Sequence, residues 1–372
     1  MGDYTNLQKI PQEDASSLAK FFIKAEKNLL LFGRRGIGKT QIFLQAIKEC
    51  KYKINYINLS VMERCDLGGF PNMQSVGDVI TFKSPHYLPK LEQGTKPNIV
   101  LLFDEVDKCS PDITAPLLEI LQFRKINGVP LNIVSCMLTS NLFNENSHSN
   151  LISSALLDRV AKYTLDFNFE QWVDWCKLNN VHDLILGFLR NNPELACGPI
   201  EDIGYASPSP RAWTLASEAL IKARDLKIVD IETITNIISG YVGNEAGLKF
   251  KIWYEYYRKF EPHVHSLIET GITSIIFDEL IPTEKIVFVI SACHYAKQKL
   301  FAENIKSNNR LICLEYLCNF LFQYKVDHEV QVIGFYNAFS FEDITKYKLY
   351  ECKVFFDHFN KLNDGILINK RK

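Results

Sequence analysis

Gly33-Arg34-Arg35-Gly36-Ile37-Gly38-Lys39-Thr40 fits the spacing G-x-x-x-x-G-K-S/T, and the chemistry of that spacing is the cradling of phosphate. Gly33, Gly36 and Gly38 let successive backbone N–H groups turn inward into an anion nest. A helix opening at Lys39 adds its positive N-terminal end. Lys39 brings a flexible point charge to the β- and γ-phosphates, and Thr40 a small oxygen ligand for Mg²⁺. Arg34, Arg35 and Ile37 fill the variable positions of the loop. The flanks suit it: an apolar run (Leu29–Phe32) precedes and an amphipathic one (Gln41–Cys50) follows, which predicts strand, loop and helix in that order.

Cutting a phosphoanhydride needs a metal, an oriented water and positive charge where the γ-phosphate departs. Ile99–Phe103 reads as a buried strand ending in Asp104-Glu105. Carboxylates there are costly unless solvated or used. Asp104 would hold Mg²⁺ through its water shell, and Glu105 would polarise the attacking water as general base. A second strand ends in Thr139-Ser140-Asn141, where the Asn141 amide can bond the water or the γ-phosphate. Arg159 closes the short helix before the last strand and could reach a neighbouring subunit's nucleotide. Arg211 opens a later helix and could cover the same nucleotide from above. A planar, permanently charged fork suits phosphate oxygens better than lysine does.

The elements that must hold these groups alternate short apolar strands with helices, as parallel α/β sheets do. Strands are expected at Asn28–Phe32, Ile54–Leu59, Asn98–Asp104, Asn132–Ser140 and Ala161–Phe167, with helices opening near Lys39, Pro111 and Ser153. Two inserts interrupt them. Gly68–Lys90 reads as a hairpin containing the alternating piece Val79-Ile80-Thr81-Phe82, and Phe123–Leu131 carries Asn127-Gly128, a strong hairpin signal. After Phe167 only helical periodicity follows, interrupted by a polar, proline-bearing link at Asn191–Pro210. The aromatics of Leu311–Tyr324 and Tyr347–Phe359 fall at helical spacing and read as core. The expected division is a leader helix (1–27), the α/β core (28–168), a helical lid (169–261) and a further helical region (262–372).

The chain has 372 residues, 47% of them hydrophobic and 23% charged, enough for more than one domain with an ample core. A net charge of −1 gives no electrostatic footprint for nucleic acid or an anionic membrane. The ten cysteines include no C-x-x-C pair, and no secretory signal is seen, so a reducing, cytoplasmic setting is expected. His263 and His265 lack the partners of a metal motif. No apolar run reaches the ~18–20 residues that cross a bilayer. Met1-Gly2 fails as a myristoylation signal because Asn6 stands where Ser or Thr is needed.

Gly33–Thr40, Phe103-Asp104-Glu105, Thr139-Ser140-Asn141, Leu157-Asp158-Arg159 and Ser209-Pro210-Arg211-Ala212 occur in the order of an AAA+ ATPase. In detail the chain resembles the MoxR-type branch, which is related to the dynein motor modules. Asp66–Pro71, Phe82–Pro85 and Tyr87–Pro89 are similar to that branch's insert in the second helix. The Asn127-Gly128 hairpin is similar to its insert before the sensor strand, and Tyr241–Gly247 to its lid segment. The resemblance implies an α/β P-loop NTPase fold: a parallel five-stranded sheet in the order 5-1-4-3-2, an α-helical lid and an additional C-terminal helical region. It also implies an oligomeric ring, usually a hexamer, with ATP and Mg²⁺ between subunits, Arg159 acting in trans and Arg211 as the second sensor. A protein client and a von Willebrand factor A-domain partner are the companions it suggests. The alternative is a nucleotide-driven nucleic-acid module of a restriction, defence or replication-loader type, against which the near-neutral charge counts.

Overall fold

The apolar runs become the parallel strands of one sheet, and that sheet sets the edge at which the chemistry lies. The structure, a computed structural model, describes residues 7–74, 81–85, 87–142, 152–198, 206–228, 230–301, 307–324, 339, 345, 348–357 and 360. Met1-Gly2, Val79-Ile80 and the 199–205 part of the expected link lie outside the described residues. So does most of the stretch beyond residue 324.

The sheet is built from β1 (Lys9–Ile10), β2 (Leu29–Phe32), β3 (Lys53–Asn58), β6 (Ile99–Asp104), β9 (Ser135–Ser140) and β10 (Ala161–Leu165), in the order β1-β10-β2-β9-β6-β3. It has six strands rather than the expected five. The last five in that order are the expected 5-1-4-3-2 arrangement, and the leader adds an edge strand to it. Lys9 pairs with Thr164 and Ile10 with Leu165. Two residues carry no period to read, so only the tertiary pairing reveals this strand. All of β2 is buried, as an interior parallel strand with both faces covered must be. The start of the run at 132–134 stays outside β9: Asn132 N–H goes to Pro89 O and Ile133 N–H to Leu131 O.

Helices α1 (Gln12–Lys24) and α2 (Lys39–Glu49) pack on each other. They are followed by α3 (Arg64–Gly68), α4 (Thr114–Phe123) and α5 (Ser154–Leu157). Ser153 caps α5 by accepting from Leu156 N–H at 3.3 Å. The Ser110-Pro111 start is tighter than a helix: Pro111–Ile113 forms a 3₁₀ turn before α4 begins.

Both inserts are hairpins: β4 (Phe70–Pro71) pairs antiparallel with β5 (Phe82–Lys83), and β7 (Lys125–Ile126) with β8 (Val129–Pro130). Asn127 and Gly128 turn the second with φ of 49° and 76°, the doubly positive turn that matches strand twist. The inserts are laced together. Leu91 N–H donates to Pro130 O at 3.0 Å and Asn132 N–H to Pro89 O at 2.7 Å. Asn127 Nδ2 donates to Gly68 O at 2.5 Å.

The chain divides into two units, residues 1–175 with 209–211, and residues 176–208 with 212–372. The unit border falls within α6 (Phe169–Leu178). The second unit is helical: α7 (Asp183–Asn191), most of α8 (Pro210–Asp225), α9 (Ile231–Val242), α10 (Asn244–Thr270), α11 (Pro282–Phe301) and α12 (Ser307–Gln323). Its core is aromatic. Phe188 meets Trp213 at 5.6 Å and Phe250 at 5.4 Å, while Phe277 meets Phe288 at 5.9 Å and Phe320 at 5.2 Å. The boundary expected at 261/262 falls inside α10, which continues through Pro262 to Thr270. Proline costs a helix one hydrogen bond, and here the flanking buried residues Phe260 and Val264 hold the helix on course. Among the described residues no helix is long and apolar enough to cross a membrane.

Candidate active site

The strand registers put the chemistry on one edge. Phe32 pairs with Ser140, Phe103 with Leu138 and Asn58 with Asp104. The residues that follow β2, β6 and β9 therefore leave the sheet side by side, at the carboxyl ends where α/β sheets bind ligands. Gly36 and Gly38 take φ of 77° and 98°, and Gly38 opens α2. These left-handed turns are what bring the nest's N–H groups together.

Lys39 is 8% exposed. Its Nζ donates to Gly33 O at 2.7 Å, Arg34 O at 2.9 Å and Asn141 Oδ1 at 3.1 Å. Asn141 is held in turn by a residue the sequence did not single out. Its N–H donates to Asp107 Oδ1 at 3.0 Å and its Nδ2 to Asp107 Oδ2 at 3.3 Å. Asp107 is 2% exposed, so one amide links a buried cation to a buried carboxylate, the compensation buried charge requires. Its only signal in sequence is a third acid just after the Asp104-Glu105 pair.

Thr40 Oγ1 donates to both Asp104 oxygens, at 3.1 and 3.3 Å. Tyr56 donates to Asp104 Oδ2 at 2.8 Å, and Thr139 Oγ1 donates to Asp104 Oδ1. Burial, then the bond to Asp104, pushes the Tyr56 phenol up to about 12, so it stays a donor at neutral pH. This oxygen-only set fits a hard cation. No cluster of three or more His, Cys, Asp or Glu that could hold a metal occurs among the described residues. Mg²⁺ would therefore rely on Thr40, Asp104 and phosphate oxygens, its usual mode.

Glu105 has φ of 60°, a left-handed conformation that costs a side-chain-bearing residue energy and tends to persist where function uses it. Its N–H donates to Thr139 Oγ1 at 3.2 Å, and its Oε1 accepts from Lys108 Nζ at 2.7 Å. The leader also reaches the nest: Gln12 Nε2 donates to Ile37 O at 3.1 Å. Arg211 N–H donates to Gly36 O at 3.2 Å, which sets its exposed side chain beside the loop.

Lys39, Thr40, Asp104, Glu105, Asn141 and Arg211 are thus gathered on one edge, and Arg159 is not among them. Ala161 pairs with Leu29 at the start of β10, so Arg159 lies toward the amino edge of the sheet, opposite the nest. It lines a groove of about 860 Å³ with Gln122, Arg124 and Asp158. Its Nε and Nη2 donate to Gln122 Oε1 at 3.0 and 2.8 Å, and its Nη1 to Ala155 O at 2.6 Å.

Asp107→Asn keeps the shape but turns one acceptor into a donor facing the Asn141 amide. Nucleotide affinity is expected to stay within a few-fold of wild type while turnover falls about 10²-fold. Phosphate release beside a nucleotide titration checks this, and unchanged turnover would remove Asp107 from the site.

Residues 28–160 match the family model for the AAA domain of the dynein-related subfamily. A 101-residue stretch is 34% identical to the chaperone protein ClpB of Mycoplasmoides gallisepticum, covering 25% of this chain and 13% of that protein. The match therefore spans only a small part of that relative's length. Among solved structures, the Holliday junction branch migration motor RuvB of Thermotoga maritima is 16% identical with a TM-score of 0.38, covering 69% of this chain and 76% of its own. A putative ATPase from Cytophaga hutchinsonii is 13% identical with a TM-score of 0.33, covering 90% and 79% respectively. The likeness to an AAA domain thus lies within residues 28–160, the stretch that carries the nest, both strand-end motifs and Arg159.

Proposed function

We propose that the chain is a Mg²⁺-dependent ATPase that works in a homo-oligomeric ring, as a hexamer, to remodel or mature a protein client in the manner of a MoxR-type chaperone. The observation that carries the hydrolytic reading is the meeting of Thr40, Asp104, Lys39 and Asn141 across two strand ends and the nest. When bound, Mg²⁺ would neutralise charge on the phosphates. The chain's residues do the rest. The nest and Lys39 grip the phosphates, Asn141 orients water, and Glu105 takes its proton after leaving Lys108. Arg211 covers the nucleotide from the same chain.

Two features support the assembly and the client. Arg159 lies away from its own nest, which suits a residue lent to a neighbouring copy. Val61, Phe70, Met73 and Phe82, on and beside the first insert, are exposed, a surface suited to apolar segments of a client. The ClpB stretch adds a chaperone likeness. A von Willebrand factor A-domain protein is the partner the MoxR resemblance favours.

The test is phosphate release from ATP by the full chain, with Mg²⁺ and with EDTA, over a range of subunit concentrations. Activity should need Mg²⁺, and activity per subunit should rise as subunits associate. Indifference to nucleotide, or equal turnover by isolated monomers, would overturn the proposal.

A further inference from the structure

Asn28, immediately ahead of β2, is 8% exposed, and its amide uses every hydrogen-bonding capacity it has. Nδ2 donates to the carbonyls of Leu121 and Arg159, both at 3.0 Å. Oδ1 accepts from Arg124 Nη2 at 2.6 Å and from Cys136 N–H at 3.2 Å. The backbone joins in, for Ala161 N–H donates to the Asn28 carbonyl at 3.0 Å. The residue after Leu121 is Gln122, whose Oε1 steadies the Arg159 guanidinium. One buried amide therefore fixes both the main chain of Arg159 and the turn that carries its side-chain support.

We propose that Asn28 is the positioning residue that sets Arg159 for the nucleotide of a second copy of this chain. The inference rests on Arg159 acting in trans. An arginine on a surface samples many rotamers, and holding it in one costs conformational entropy. A fixed main chain and a guided fork reduce that cost before the neighbour arrives, which is the condition for a charge to meet a transition state without reorganisation. The same residue immediately precedes the strand that leads into Gly33, so the nest and the arm offered to a neighbour are built on the two ends of one strand.

Asn28→Ala in the full chain is expected to bind Mg-ATP with wild-type affinity and to lose about 10²-fold in turnover. Mixed with Glu105→Gln subunits, which keep the arm and lack the base, it should regain activity. Mixed with Arg159→Ala subunits it should stay inactive, because neither kind supplies the arm. If Glu105→Gln rescues Arg159→Ala and not Asn28→Ala, the positioning role fails by itself. If it rescues neither, the trans reading fails and takes this inference with it. Gln122→Ala, on an exposed side chain, serves should Asn28→Ala not fold. It should show the same rescue pattern with a smaller loss of about tenfold, and wild-type turnover there would overturn the proposal.

Discussion

Arg159→Ala subunits are expected to bind Mg-ATP as the wild type does and, in the ring proposed above, to lose hydrolysis by about 10³-fold or more. The expectation follows from where the side chain lies. β2 separates its two ends by four residues, at roughly 3.3 Å per residue, and Arg159 sits at the end away from the nest. Its removal leaves every contact of Lys39, Thr40, Asp104 and Asn141 in place, so affinity should hold while charge stabilisation in the neighbour's site is lost. Single-turnover hydrolysis beside a nucleotide titration reads the two effects apart. A parallel loss of affinity would place Arg159 in ground-state binding instead.

Glu105→Gln is the second large effect: nucleotide retained, turnover down by about 10²- to 10⁴-fold. The amide cannot take a proton from water, yet it matches the carboxylate in shape and keeps the left-handed backbone at 105 no worse than before. It also loses the ion pair with Lys108, an interaction between partly exposed groups of the kind worth little in stability. The variant should melt close to wild type and hold ATP unhydrolysed, which makes it the bait for testing the proposed client and partner. Full activity in Glu105→Gln would mean that another group activates the water.

The nest and the carboxylate pair were readable in the sequence because each rests on local chemistry. Gly36 and Gly38 permit turns that other residues resist, and Asp104-Glu105 ends an apolar run in charge. The interior strands β2, β6 and β9 were readable for a similar reason, since parallel interior strands are apolar on both faces. What escaped was held by partners distant in sequence. Lys9–Ile10 is too short to show a period and becomes a strand only against β10. Tyr56 looks like any strand aromatic until Asp104 comes across from β6. Asp107 and Asn28 are single polar residues whose meaning lies in Asn141 and Arg159, thirty-four and 131 positions away. The boundary expected at 261/262 has no counterpart in local structure, since α10 runs through Pro262 to Thr270.

The lacing of the two hairpins has a mechanical consequence. With Pro89, Leu91 and Gly68 on one side bonded to Asn132, Pro130 and Asn127 on the other, neither loop can be tugged without dragging the other. The second runs on into β9, whose far end carries Asn141. A load on the exposed Phe70 and Met73 would thereby pass along the chain to Asn141, which bonds Lys39.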